Sequence, residues 1–195
     1  MSEVRVDTIT EKTSANGVAI DSVTLKDGGA TLTDNITFSA SGKGVHLGVT
    51  TATAGNLLDD YEEGDYTAAW TIGTGTITLH SSYNQLTYTK VGRMVHIQGY
   101  LESSAESSAS GTLRMNLPFT VDGSFTDLGE RGGTSALLTL TAHNVGSHWW
   151  ATINGDGANI RLFVASSATN VSDTGGTSVD GECTAYVNIT YQTSS

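Results

Sequence analysis

The sequence predicts an all-β protein: an extended, β-rich N-terminal arm followed by a jelly-roll-like antiparallel β-sandwich. Three observations carry this. Apolar and polar residues alternate at period two in many short segments. Glycine-rich turns such as "NGDGAN" and "DTGGTS" separate those segments. No stretch holds the i, i+3, i+4 apolar spacing of a helix long enough to form one. The 195 residues suffice to bury a substantial core.

Residues 1–55 form the arm. Their apolar residues are sparse, and Phe38 is the one aromatic among them. A weak repeat with an offset of 13 lays "AIDSVTLKDGG" over "LTDNITFSASG". It matches Asp21 with Asp34, Val23 with Ile36, Thr24 with Thr37 and Leu25 with Phe38. Each unit is a short strand and a turn that cannot bury itself alone. Repeats of this kind are stable when stacked or intertwined with neighbouring chains. Three chains sharing Val18, Ile20, Val23, Leu25, Leu32, Ile36 and Phe38 would cover what one chain leaves exposed. The alternative is a polar tail without fixed structure.

Residues 56–66 form an acidic junction. "LLDDYEEGDYTAAW" places Asp59, Asp60, Glu62, Glu63 and Asp65 close together, with no Lys or Arg inside the run. Acid–base catalysis needs carboxylates held in distinct environments on a rigid frame. A joint between arm and sandwich instead leaves them solvated, so the run reads as a solvated or locally capping turn. Calcium remains an alternative, because hard cations take clustered oxygens. The spacing does depart from the looped calcium template, with Tyr61 at the third position counted from Asp59.

Residues 67–195 form the sandwich. The alternation predicts strands at 67–72, 75–80, 84–91, 93–101, 111–116, 135–142, 147–154, 158–165 and 182–192. In "GRMVHIQGYL", Val95, Ile97 and Leu101 face one side and Met94, His96, Gln98 and Tyr100 the other. Strands at this spacing favour a sandwich. The lone Pro118 sits where a strand ends. Cys183, alone of its kind, excludes an intramolecular disulfide and a CxxC metal site, and lies in an alternating segment as a buried, inert thiol.

Composition narrows the partners. A formal net charge of −11 disfavours nucleic acid, whose phosphates need clustered cations. No apolar run approaches the ~20 residues of a membrane span. The chain opens without a basic and apolar leader, so no signal peptide is expected.

Little in the sequence spells chemistry. The five histidines show no H-x-H or H-E-x-x-H spacing, and no G-x-S-x-G is present. No catalytic residue, metal or cofactor is expected. The most unusual local feature is "GSHWWATI": in a strand Trp149 and Trp150 point to opposite faces. One fills the core. The other, with His148 and His143 beside it, would suit a sugar-stacking platform or a subunit contact. Loops at 102–110, 143–150 and 170–181 are the expected places for recognition.

The junction, with "LTYTKVGRMVHIQGYL" after it, resembles a recurrent pattern of tailed-bacteriophage virion proteins, L-D-D-Y-E-E-G-x-[WYF] then Y-x-K-[IV]-G-x-x-V-x-[IV]-x-G. The matching residues are Leu58 to Gly64 and Tyr66, then Tyr88, Lys90, Val91, Gly92, Val95, Ile97 and Gly99. "YTAAW" replaces the commoner W-T-P after the acids. The opening "VRVDTITEKTSANGVAIDSVTLKDGG" is similar to phage tail-fibre arms. The resemblance covers about the first hundred residues. It implies a homotrimeric, non-enzymatic virion protein attached to other virion proteins through its arm; without a leader it is expected to be made in the host cytoplasm. The expected function is a short tail fibre that binds the host surface, with a surface glycan as a candidate partner. A trimeric capsid decoration (cement) or head-fibre protein is the alternative, and a glycan depolymerase the third.

Overall fold

The computed structural model describes residues 33–122, 139–141, 149–153, 157, 159–167, 170–172 and 183–193. Contacts divide the chain into two units, residues 1–38 and 39–195. Of the first, residues 33–38 are described; they form no strand, and Ile36 and Phe38 are exposed. The other five arm positions, Val18, Ile20, Val23, Leu25 and Leu32, lie outside the described residues.

The second unit opens with a small ladder. Strand β1 (Val45–His46) pairs with β2 (Leu57–Leu58), a 3-10 turn at Ala54–Asn56 leading into the latter. Asn56 closes it: its carbonyl accepts from the Leu47 N–H at 2.9 Å and its side-chain amide donates to the Leu47 carbonyl at 3.2 Å.

Beyond it lie two antiparallel sheets around one core, the all-β class that the alternation predicts. One sheet holds β3 (Tyr61–Thr67), β6 (Gln85–Val91), β7 (Met94–Ser110), β13 (Thr184–Gln192) and β9 (Thr139–Thr141), in that order. Strand β5 (Thr74–Leu79) joins it along the second half of β7. The other sheet runs β10 (Trp149–Ile153), β11 (Asn159–Ser167), β8 (Leu113–Asn116), β4 (Trp70–Thr71). In it β12 (Asn170–Ser172) takes over the edge of β11 beyond the stretch paired with β8.

The core follows from period two. Val95, Ile97 and Leu101 of β7 are fully buried, as are Ala185 and Ile189 of β13. They meet Trp70, Leu113, Met115, Ile160 and Leu162 of the opposite sheet in one apolar cluster. Burying each large apolar side chain contributes about 1.5–3 kcal/mol. Cys183 is buried beside β13, where its N–H donates to Ser103 Oγ at 2.8 Å.

The predicted strand at 67–72 is in fact a corner where the chain changes sheet. Thr67 ends β3 in one sheet and Trp70 begins β4 in the other. Asn116 holds the corner: its side chain accepts from the Ala69 N–H at 2.7 Å and donates to the Thr67 carbonyl at 3.2 Å.

Three expectations about loops fail. Residues 102–110 are not a recognition loop but the second half of β7, paired with β5. "ESSAESSAS" has no Gly, Pro or Asn to force a turn, and backbone pairing asks little of its side chains. Residues 170–172, read as loop, are strand β12. Residues 59–65 are not a turn, because most of them belong to β3, paired with β6 from Tyr61↔Val91 to Thr67↔Gln85. Where β5 meets β7 the register shifts around Gly75, at φ 81°. A Cβ there would lie 2.3 Å from the Ser107 carbonyl oxygen, so only glycine fits.

Candidate functional site

The acids of the junction are the first place to look for chemistry, and the structure gives three of them partners. Asp60 forms an ion pair with Lys90, thirty positions on, whose side chain is buried and whose Nζ lies 5.6 Å from the centre of the Phe119 ring. The Asp60 carbonyl also accepts from the Gly92 N–H at 2.7 Å. Glu62 accepts from the Tyr88 hydroxyl at 2.5 Å and Glu63 from the Tyr61 hydroxyl at 2.6 Å. These bonds raise both phenols above the ordinary tyrosine value. Two of these contacts, Asp60 with Lys90 and Glu62 with Tyr88, tie the start of β3 to β6, while the Glu63–Tyr61 bond lies within β3 itself.

A second candidate lies on the outer face of the larger sheet. The alternation that sends Val95, Ile97 and Leu101 inward turns His96, Gln98, Tyr100 and Glu102 the other way. Register then builds rows: Tyr100 opposite Tyr186, Gln98 opposite Asn188 and His96 opposite Thr190. Strand β6 extends them with Thr87 beside Gln98 and Thr89 beside His96. The result is an open groove of ≈ 520 Å³. Amides and a hydroxyl (Gln85, Thr87, Gln98, Asn188) line it together with Tyr100 and Tyr186. No charged side chain lines it.

The tyrosines form a buttressed series. His80 and Tyr83 lie 5.1 Å apart, Tyr83 meets Tyr100 edge to face at 5.6 Å and 87°, and Tyr100 meets Tyr186 at 5.2 Å and 59°. Such pairs are worth about 0.5–1.5 kcal/mol each. Tyr100 is anchored further, because its hydroxyl donates to Glu102 Oε2 at 2.7 Å. That bond pushes its pKa up to about 12. Tyr186, at the end of the series, is 56% exposed. The groove can stack and hydrogen-bond a ligand.

The residues singled out by sequence fare differently. Trp149 and Trp150 lie on β10, opposite Val164 and Phe163, while His143 and His148 are outside the described residues. Among the described residues no three His, Cys, Asp or Glu side chains gather as a metal-holding group. Sequence reasoning missed Tyr83, Tyr100 and Tyr186. A signal did exist: Tyr100 and Tyr186 occupy the polar phase of two alternating strands, where a large ring has no core to fill.

No family model and no curated protein matches the sequence. Among solved structures, the fold is similar to part of the crystal structure of the Dettilon tailspike protein, with a TM-score of 0.51 at 16% identity. The match covers 67% of this chain and 23% of that one, so this chain corresponds in fold to under a quarter of the tailspike's length.

Proposed function

We propose that this chain is a non-enzymatic virion structural protein that attaches to the host surface as a short homotrimeric tail fibre, with residues 1–55 joined to other virion proteins. The observation that carries the attachment role is the open groove on the outer sheet face, where Tyr186 is exposed beside amide and hydroxyl side chains. Contiguous exposed apolar surface, here the exposed Tyr83 and Tyr186 in ring contact with Tyr100 between them, marks interaction sites more than single exposed side chains do. The fold likeness to a tailspike supports a place in the tail. Binding rather than turnover fits the junction carboxylates Asp60, Glu62 and Glu63, whose bonds to Lys90 and to tyrosine hydroxyls serve the sheet. Trimerisation fits the exposed apolar side chains of Val45, Leu47, Leu58 and Tyr61, which a neighbouring subunit would cover.

The test is threefold. Purified protein should sediment as a trimer, bind host cells and protect them from infection. Antibody labelling of virions in the electron microscope should decorate the tail; label spread over the shell would mean a capsid decoration protein instead. Release of sugar from host polysaccharide by the purified protein would make it an enzyme.

A further inference from the structure

Resting on the attachment role above, we propose that the groove between Gln98, Asn188 and Tyr186 binds an uncharged glycan, with one sugar face stacked on the Tyr186 ring. Three features point to this class of ligand. First, the ring is held ready: Tyr100 packs against Tyr186 and is itself fixed by Tyr83 and Glu102, so stacking costs little ordering. An exposed, immobilised ring offers the flat apolar surface that the C–H face of a pyranose covers.

Second, the side chains beside it suit hydroxyl groups. Gln98 and Asn188 are cross-strand neighbours, and each amide presents both donors and an acceptor to one patch. Thr87 donates its hydroxyl to the Gln98 carbonyl at 3.2 Å, which leaves its lone pairs as acceptors. Gly99 adds only backbone to the lining, since it lies in the inward phase, where a Cβ would sit 2.7 Å from Cδ2 of the buried Leu86.

Third, the charge is wrong for an acidic ligand. The lining contains no Lys or Arg, Glu102 stands beside Tyr100, and the whole chain carries −11. A carboxylate, sulfate or phosphate brought here would lose water without gaining a cation. A neutral chain of hydroxyls meets no such cost.

The experiment presents full-length protein to a panel of immobilised glycans, some neutral and some bearing uronate, sialate or phosphate. Neutral glycans should be captured. Tyr186→Ala should bind them roughly tenfold more weakly, while Tyr186→Phe, which keeps the ring, should stay within about threefold of the parent. Acid-bearing glycans as the main ligands, capture unaffected by Tyr186→Ala, or no neutral ligand at all would each overturn the proposal. Sedimentation of Tyr186→Ala guards against a different explanation: if the variant loses the parent's oligomeric state, this face is a subunit contact and the proposal fails. Failure of the parent to bind host cells would sink the attachment role alone, since the glycan panel decides the groove independently.

Discussion

Strands β7 and β13 present two surfaces made from the same backbone. Their inner face, with Val95, Ile97, Leu101, Val187 and Ile189, is sealed against the second sheet. Their outer face sets His96, Gln98 and Tyr100 against Thr190, Asn188 and Tyr186 in register. The inner residues are determined by packing, because they are buried in one apolar cluster with the opposite sheet. The outer residues are under no such demand, yet Tyr100 and Tyr186 continue a line of ring contacts begun by His80 and Tyr83 between β5 and β6. One face makes the fold and the other is available for use.

The sharpest test of that division sets one residue against another on the same strand. Ile189→Ala should lose about 2–5 kcal/mol in urea unfolding, the range for truncating a fully buried aliphatic side chain. Tyr186→Ala, three positions away, should lose about 1 kcal/mol or less, roughly the worth of its ring contact with Tyr100. Equal losses at the two sites would erase the distinction between the faces.

A smaller effect separates the junction acids, Asp60 and Glu63, from a functional cluster. Asp60→Ala leaves the buried Lys90 ammonium without its carboxylate and should cost about 2–3 kcal/mol, below a fully buried pair because the Asp60 side chain is 40% exposed. Replacing the pair together, Asp60→Leu with Lys90→Met, should restore much of the loss. Glu63→Gln, on the exposed edge, should change stability by only about 0.5 kcal/mol. A large loss at Glu63 and none at Asp60 would reverse this account of the strand.

Alkaline pH distinguishes the inner tyrosines from the outer ones. Burial raises the phenols of Tyr66 and Tyr191 far above the ordinary 10.0. A folded pKa above the unfolded one means their contribution is complete below pH ~10 and is lost as pH rises beyond it. Phenolate absorbance should therefore show these two ionising only with cooperative unfolding. Ionisation of all seven tyrosines before unfolding would contradict it. The smallest effect belongs to the outer face: Glu102→Gln removes the carboxylate that holds Tyr100 at about 12, and its titration should move down toward 10 with the fold intact.

Much of this was legible in the residues themselves. Period two alone marks Val95, Ile97 and Leu101 as inward and Gln98 and Tyr100 as outward, and β5, β6, β8 and the first half of β7 lie within a residue or two of their predicted positions. Alternation reports which side a residue faces because water and core act on each side chain separately. It is silent where both sides tolerate small polar groups, which is why "ESSAESSAS" passed for a loop and the acids of β3 for a turn. Nor does it say which strands lie side by side. That Lys90 answers Asp60, that Asn116 holds a corner with Thr67 and Ala69, and that Tyr83, Tyr100 and Tyr186 meet on one surface are all results of pairing between distant segments. Backbone hydrogen bonds make those pairings, and the backbone is the same at nearly every residue. The sequence by itself determined the inward and outward phases of the strands; only the tertiary structure decided which outward residues became neighbours.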